Sequence, residues 1–148
     1  MDSNVQTLND LLKGLYMGIH SYEHYIKHCQ NHEIRITLQK IQQTHKLSAM
    51  RLAEHIQNLH GTPVTSEGIL GSMVGFFSSF SSPTIDQEIV EEAIRMEQKY
   101  AVHKAGENTK GKISESSKKI IDDILETNQQ QVNILKDLLM QTSKTLHP

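Results

Sequence analysis

The strongest constraint on the fold of this chain is the spacing of its apolar residues, which recur every three or four positions over four long segments. That spacing places side chains on one face of an α-helix. No segment alternates apolar and polar residues over the length of a strand. We therefore predict one all-α domain, residues 1–148, with helices at about 3–29, 33–60, 84–105 and 115–141.

The apolar seams of these helices define the faces that should pack together in a four-helix bundle. The first seam consists of Val5, Leu8, Leu12, Leu15, Ile19, Tyr22, Ile26 and Cys29. The second consists of Ile34, Leu38, Ile41, His45, Ser48, Leu52, His55 or Ile56, and Leu59. The third consists of Ile85, Ile89, Val90, Ala93, Met96 and Tyr100, and the fourth of Ile121, Ile124, Leu125, Val132, Leu135, Leu138 and Leu139. Burying four such faces is expected to offset the chain entropy lost on folding.

Residues that favour helix ends stand at the borders of these segments. Capping side chains mark the predicted starts: Ser3 with Gln6, Asn31, Thr84 with Gln87, and Ser114 or a neighbouring serine. After the second helix, Gly61 is expected to adopt the left-handed conformation of a C-cap, and Pro63 prevents the helix from continuing.

The connection between the second and third helices, residues 61–83, is the longest of the three. A long connection lets the helices that it joins run in the same direction, which is the topology of ferritin-like bundles. It is rich in Gly and Ser but apolar in the middle, and we predict a short helix at about 69–77. Its apolar stretch Ile69–Phe80 is a candidate docking surface for a partner protein or a membrane surface.

Composition narrows the class of protein further. A formal net charge of −2, few aromatic residues and no Trp argue against a nucleic-acid interface. A single cysteine fits a reducing compartment. The polar start of the chain is unlike a secretory signal, and no apolar run approaches the roughly 20 residues that cross a bilayer. We therefore expect a cytoplasmic protein without a transmembrane segment.

Four histidines recur every fourth residue in the last part of the first predicted helix and just beyond its end, and are here called the histidine ladder: His20, His24, His28 and His32. Two histidines four residues apart on a helix can chelate Zn²⁺, Ni²⁺ or Cu²⁺. In heptads that place Val5 at position a, however, the ladder occupies positions b, f, c and g, away from the seam. The ladder is therefore interpreted as a solvated polar face, with metal chelation as the alternative.

A metal centre inside the bundle is the second candidate site. Di-iron carboxylate bundles use a Glu from each of two helices and a Glu-x-x-His pair from each of the other two. Here Gln42 replaces the Glu that would precede His45. The candidate ligands are His45, Glu92, Glu97 and Glu126. The other interpretation is a buried polar layer without metal, in which His45 bonds to Glu92 or Asn128.

Nucleophilic catalysis and phosphate binding find no support in the sequence. Cys29, the only cysteine, lies at a seam position and is interpreted as a small core residue. No glycine-rich phosphate loop follows a strand, because no strand is predicted. We therefore expect no enzymatic activity and no cofactor beyond the metal ion considered above.

The segments Leu8-Asn9-Asp10-Leu11 and Leu59-His60-Gly61-Thr62-Pro63 resemble motifs of a bacterial ferritin-like family of unknown function, whose small proteins often open with Leu-Asn-Asp-Leu. The likeness covers about residues 7–140. It implies a ferritin-like four-helix bundle with no established activity. Gln42 and Gln129 depart from ferritin-type ligand motifs, which argues against oxidase or iron-storage activity.

Taken with the resemblance, the sequence favours a non-enzymatic ferritin-like bundle with a degenerate metal site and a structural or stress-related role in bacteria. Self-association is expected, with a homodimer as the favoured form. The alternatives are a protein that binds iron, manganese or zinc, and an interaction module that docks through Ile69–Phe80.

Overall fold

The computed structural model describes residues 3–65, 82–108 and 113–146, and the regular structure in these ranges is entirely helical. The helices are α1 (Ser3–His28), α2 (His32–Asn58), α3 (Asp86–Asn108) and α4 (Glu115–Leu146). The prediction of an all-α four-helix bundle is confirmed, although α4 continues beyond its predicted end near 141. The predicted short helix at 69–77 and the apolar stretch Ile69–Phe80 lie outside the described residues.

The contacts at the two ends of the bundle define the directions of the helices. Asp86 at the start of α3 accepts hydrogen bonds from the backbone N–H groups of Gln30 and Asn31, between α1 and α2. At the opposite end, Asn4 near the start of α1 bonds to Ser117 near the start of α4, with 3.2 Å between Nδ2 and Oγ. Helices α2 and α3 therefore run in the same direction, as the length of their connection predicted.

The core consists of two apolar clusters stacked along the bundle axis. One contains residues such as Leu38, Ile89 and Leu135, and the other contains residues such as Leu12 and Leu52. All five are fully buried, and burial of each such side chain contributes roughly 1.5–3 kcal/mol relative to exposure. Most seam positions that were predicted from the sequence are buried, so the helical periodicity identified the packing faces correctly.

The start of α3 differs from its prediction. The carbonyl of Ile85 accepts the backbone hydrogen bond of Ile89 at 2.8 Å, so Ile85 is the N-cap residue and its side chain is 60% exposed. The prediction of a capping box between Thr84 and Gln87 is wrong, because Thr84 precedes the N-cap by one residue. Gln87 instead donates a side-chain hydrogen bond to Glu91.

Two other predicted caps are confirmed. The Asn31 side chain accepts a hydrogen bond from the Ile34 N–H at 3.0 Å. Ser114 Oγ accepts one from the Ser117 N–H at 3.3 Å at the start of α4. These bonds satisfy backbone donors that the first turn of a helix leaves without an intrahelical partner. Helix α1 already includes Ser3, and the cap between Ser3 and Gln6 stays a prediction.

The end of α2 corrects the role assigned to Gly61. The left-handed residue is His60, with φ of 64°, and not Gly61. The N–H of Gly61 bonds to the Ile56 carbonyl and that of His60 to the Gln57 carbonyl, both at 2.9 Å, which forms a Schellman motif. Gly61 is required for a different reason. A Cβ atom at this position would lie 2.7 Å from Cγ1 of Val5, so the chain passes too close to α1 for any side chain.

We predict that Gly61→Ala lowers the free energy of unfolding by about 1–2 kcal/mol, because the added methyl group overpacks the contact with Val5. Urea denaturation followed by circular dichroism measures the effect. In a Val5→Ala background the same substitution should cost much less, since the overlapping methyl groups are gone. Equal costs in the two backgrounds would contradict the steric explanation.

Asn9 of α1 fixes the chain that leaves α2. Its Nδ2 donates to the Thr62 carbonyl at 3.0 Å, and its Oδ1 accepts from the Val64 N–H at 2.9 Å. One amide thus satisfies both a donor and an acceptor of the passing backbone. This contact physically links the Leu8-Asn9-Asp10-Leu11 segment to the turn that contains Gly61, the two motifs on which the family resemblance rests.

Candidate functional site

The centre of the bundle contains a buried carboxylate that receives one hydrogen bond from each of the other three helices. Glu97 of α3 is 1% exposed. Its Oε1 accepts from the Tyr22 hydroxyl of α1 at 2.8 Å and from His45 Nε2 of α2 at 2.6 Å. Its Oε2 accepts from Asn128 Nδ2 of α4 at 2.8 Å. These four residues, here called the Glu97 layer, join all four helices.

Local helix geometry explains why these polar groups meet. His45 lies four residues after Ile41 and four before Ala49, and Asn128 lies in the same way between Ile124 and Val132. Those flanking residues are all buried, so the polar residues share the face that points into the core. The layer therefore separates the two apolar clusters, where a polar group lies away from bulk solvent and needs a hydrogen-bond partner.

The surroundings of Tyr22 keep its hydroxyl protonated. Burial, reinforced by the negative charge and the hydrogen bond of Glu97, raises the pKa of Tyr22 well above its ordinary value. The Tyr22 hydroxyl therefore stays a donor at any physiological pH. Because a carboxylate only accepts, His45 Nε2 carries the hydrogen of its short bond to Glu97. The carboxylate has about four acceptor positions, of which three are used.

The structure brings together two of the four candidate metal ligands, His45 and Glu97. Glu92 lies apart and binds the guanidinium of Arg95, with 2.9 Å between Oε1 and Nη2. Glu126 is exposed to solvent. Helical geometry accounts for both differences: Glu92 is rotated about 140° from Glu97 around α3, and Glu126 about 160° from the buried Asn128 around α4.

The partner of His45 also differs from the expected polar layer. The sequence suggested Glu92 or Asn128, whereas the ring bonds to Glu97, and Asn128 bonds to the other oxygen of the same carboxylate. Gln42, which replaces a ferritin-type Glu, bonds across to α1. Its Nε2 donates to Glu23 Oε2 at 2.8 Å and to the Ile19 carbonyl at 3.0 Å. Gln42 therefore links α2 to α1 through hydrogen bonds.

Three histidines of the ladder, His20, His24 and His28, lie on α1, whereas His32 is the first residue of α2, so the heptad positions counted along α1 do not extend to it. His20 and His32 are exposed, and His24 and His28 are partly buried, with 4.4 Å between their ring centroids. His24 Nε2 lies 3.1 Å from the Pro83 carbonyl, and since a carbonyl only accepts, this nitrogen is the donor. His24 therefore uses Nε2 to hold the chain just before α3, which leaves only Nδ1 for a metal ion.

Within residues 3–65, 82–108 and 113–146, no three His, Cys, Asp or Glu side chains form a group able to hold a metal ion. Among the same residues, no helix combines the length and apolar character needed to cross a lipid bilayer. A metal ion at the centre would have to use His45 and Glu97, and it would compete with the hydrogen that joins them.

Cys29 is buried among apolar residues, at the seam position that the sequence indicated. Burial, with a further contribution from the negative charge of Asp86, raises the pKa of its thiol to about 11. The thiol donates to the Asn31 carbonyl, with 3.4 Å between sulfur and oxygen. A protonated and buried thiol is a poor nucleophile at neutral pH. The surroundings of Cys29 are therefore those of a residue that packs in the core.

Sequence reasoning missed three side chains that organise this molecule. Tyr22 was counted as an apolar seam residue, although a buried tyrosine hydroxyl needs a partner and could have signalled a polar group opposite it. Asp86 and Asn9 hold backbone groups of distant segments, with no spacing pattern to reveal them. Contacts from a side chain to remote backbone depend on the tertiary fold alone.

The helices and the Glu97 layer together define an all-α four-helix bundle with a hydrogen-bonded polar centre. Residues 3–107 match a protein family described as a domain of unknown function, DUF2383, and the chain belongs to that family. The match includes Tyr22, His45 and Glu97, whereas Asn128 lies beyond it. No curated protein and no solved structure matches the chain significantly.

Proposed function

We propose that this protein is a non-enzymatic, ferritin-like four-helix bundle that self-associates and has a structural or stress-related role in the bacterial cytoplasm. In this proposal the Glu97 layer takes the place of a metal centre. The supporting observation is that the buried Glu97 carboxylate already accepts three hydrogen bonds, from Tyr22, His45 and Asn128. The parallel direction of α2 and α3 supports the ferritin-like topology.

The charge of the site also supports this function over the iron-binding alternative. Two metal ions need about four carboxylates to neutralise them, with open positions for oxygen. The Glu97 layer supplies one carboxylate, and its histidine uses Nε2 as a donor. Self-association is supported by apolar side chains on the outer face of α2, where Leu47 is 66% and Met50 68% exposed.

The alternative of a single bound metal ion is favoured by one observation, the close approach of the buried His45 and Glu97 side chains. Imidazole and carboxylate are common ligands of zinc, manganese and iron. The outer ladder offers a second, exposed place for adventitious Ni²⁺ or Cu²⁺, through pairs such as His20 with His24. An experiment on metal content therefore has to separate the two places.

Elemental analysis of untagged protein, purified without chelators, tests the proposal. We expect far less than one metal ion per chain in the wild type, with no increase after incubation with Fe²⁺, Mn²⁺ or Zn²⁺ and gel filtration. The matched variants are His45→Gln, which keeps a donor toward Glu97, and His20→Ala in the ladder. Stoichiometric metal that is lost in His45→Gln but kept in His20→Ala would overturn the proposal.

The same gel-filtration step, with mass determined by light scattering, tests self-association. The expected mass is that of a dimer of the 16.8 kDa chain. A monomer at all accessible concentrations would contradict this part of the proposal and leave the conclusion on metal content unaffected.

A further inference from the structure

A small cavity lies beside the Glu97 layer, against the middle of α1. Its lining consists of Gly14, Leu15, Met17, Gly18, His45, Met96, Glu97 and Asn128. The space open to the centre of a water molecule is about 10 Å³. That is about the minimum that holds one water molecule. The cavity therefore has room for at most one water molecule, and the polar part of its wall comes from the layer.

Asn128 lines this cavity and has a hydrogen-bond acceptor without a partner among the described residues. The residue is 1% exposed, and its Nδ2 is directed to Glu97. Its amide oxygen Oδ1 is buried, and no group in the described residues donates to it. Rotating the amide would not help, because it would place Oδ1 against the Glu97 carboxylate. Asn128, which lines the cavity, therefore has an unused acceptor that a small hydrogen-bond donor would satisfy.

Gly18 shows that the wall of the cavity is loosely packed beside His45. A Cβ atom built on it would have His45 Cδ2 as its nearest neighbour outside its own helix, at 3.9 Å, which is ordinary van der Waals contact. Packing therefore leaves room for an alanine, which is the better helix former at a buried mid-helix position. The glycine preserves space beside His45, in the wall of the same cavity.

We propose that one water molecule is bound in this cavity, donating one hydrogen to Asn128 Oδ1 and the other to the Glu97 carboxylate. The carboxylate lines the cavity and has about one acceptor position left beside its three bonds. Two polar partners are the lower end of what buried waters have in proteins. The inference rests on the proposed non-metal role of the layer, since a resident metal ion would use the same carboxylate.

A crystal structure of the full chain at about 1.5 Å resolution, with anomalous data collected above the zinc edge, tests this inference. We expect one spherical density peak at about 2.5–3.0 Å from Asn128 Oδ1, without anomalous signal. An anomalous peak would overturn both this inference and the proposed function. The complete absence of a peak would overturn the water site alone and leave the proposed function standing.

Gly18→Ala is the matched variant, because its added methyl group enters the cavity without a close contact. We expect the variant to fold, with the same helix content by circular dichroism, and to lose the peak beside Asn128. A peak that persists unchanged in Gly18→Ala would place the bound molecule outside this cavity and would also overturn the inference.

Discussion

Replacing Glu97 with alanine should lower the free energy of unfolding by about 4 kcal/mol or more. The substitution leaves the buried donors of Tyr22, His45 and Asn128 without their acceptor, and each such loss costs about 1–3 kcal/mol. Domains of this size are stable by only about 5–15 kcal/mol, so the variant should lose a large fraction of its stability and melt at a clearly lower temperature. Urea denaturation and thermal melting, followed by circular dichroism, measure the effect.

Two variants identify the cause of that loss. Glu126→Ala removes the same chemical group from an exposed position on α4 and should change stability by no more than about 0.5 kcal/mol. Glu97→Gln keeps an oxygen for Tyr22 and His45 but presents an amide N–H₂ to Asn128, so its cost should be intermediate. A Glu97→Ala variant within about 1 kcal/mol of the wild type would show that the layer does not hold the four helices together.

Replacing Asp86 with alanine should lower the free energy of unfolding by about 2–3 kcal/mol. Its two carboxylate oxygens accept from the N–H groups of Gln30 and Asn31 at 2.8 and 2.9 Å, and hydrogen bonds to charged groups contribute about 1.5–3 kcal/mol each. The lower part of that range applies because both bonds are near solvent. In hydrogen-exchange measurements, Asp86→Ala should accelerate exchange at these two amides, relative to the wild type, more than at other amides of the α1–α2 hairpin.

Glu88→Ala is the matched control for Asp86, since it removes a carboxylate from the same first turn of α3 without a contact to the hairpin. Its expected cost is a few tenths of a kcal/mol, from the helix dipole alone. Asp86→Asn keeps one acceptor and should lie between the two. If Glu88→Ala and Asp86→Ala cost the same, the contribution of Asp86 is general electrostatics and not the two bonds.

The fold class followed from the sequence because helical periodicity is a local property of the chain. The seam of α1 can be counted from Val5 to Cys29 without knowledge of the other helices, and six of its eight positions are buried. The direction of α3 relative to α2 followed from the length of one connection. Ile85 shows the limit of this reasoning, since periodicity does not show which apolar residue precedes the first turn.

The candidate site could be predicted only in part. His45 was predicted as a seam residue that either binds a metal ion or joins a polar layer through Glu92 or Asn128, but its actual partner, Glu97, depends on the rotation of α3 and on its shift along its axis relative to α2. That shift is set by contacts such as Asp86 with the α1–α2 link, which leave no periodic pattern in the sequence. The hydrogen bonds that Tyr22 and Asn128 donate to Glu97 likewise depend on the tertiary fold that brings the four helices together.

Helix α1 fixes the chain on both sides of the long connection, through Asn9 at Thr62 and Val64 and through His24 at Pro83. The two anchoring residues are about 22 Å apart along the helix at 1.5 Å per residue. A chain from Val64 to Pro83 can span about 60 Å when extended.

The connection therefore has ample excess length, and sequences of this family should tolerate insertions and deletions there. Each doubling of such a loop costs only about 0.6 kcal/mol. Length variation between homologues is expected to concentrate between these two anchors, while the spacing from Asn9 to His24 stays constant.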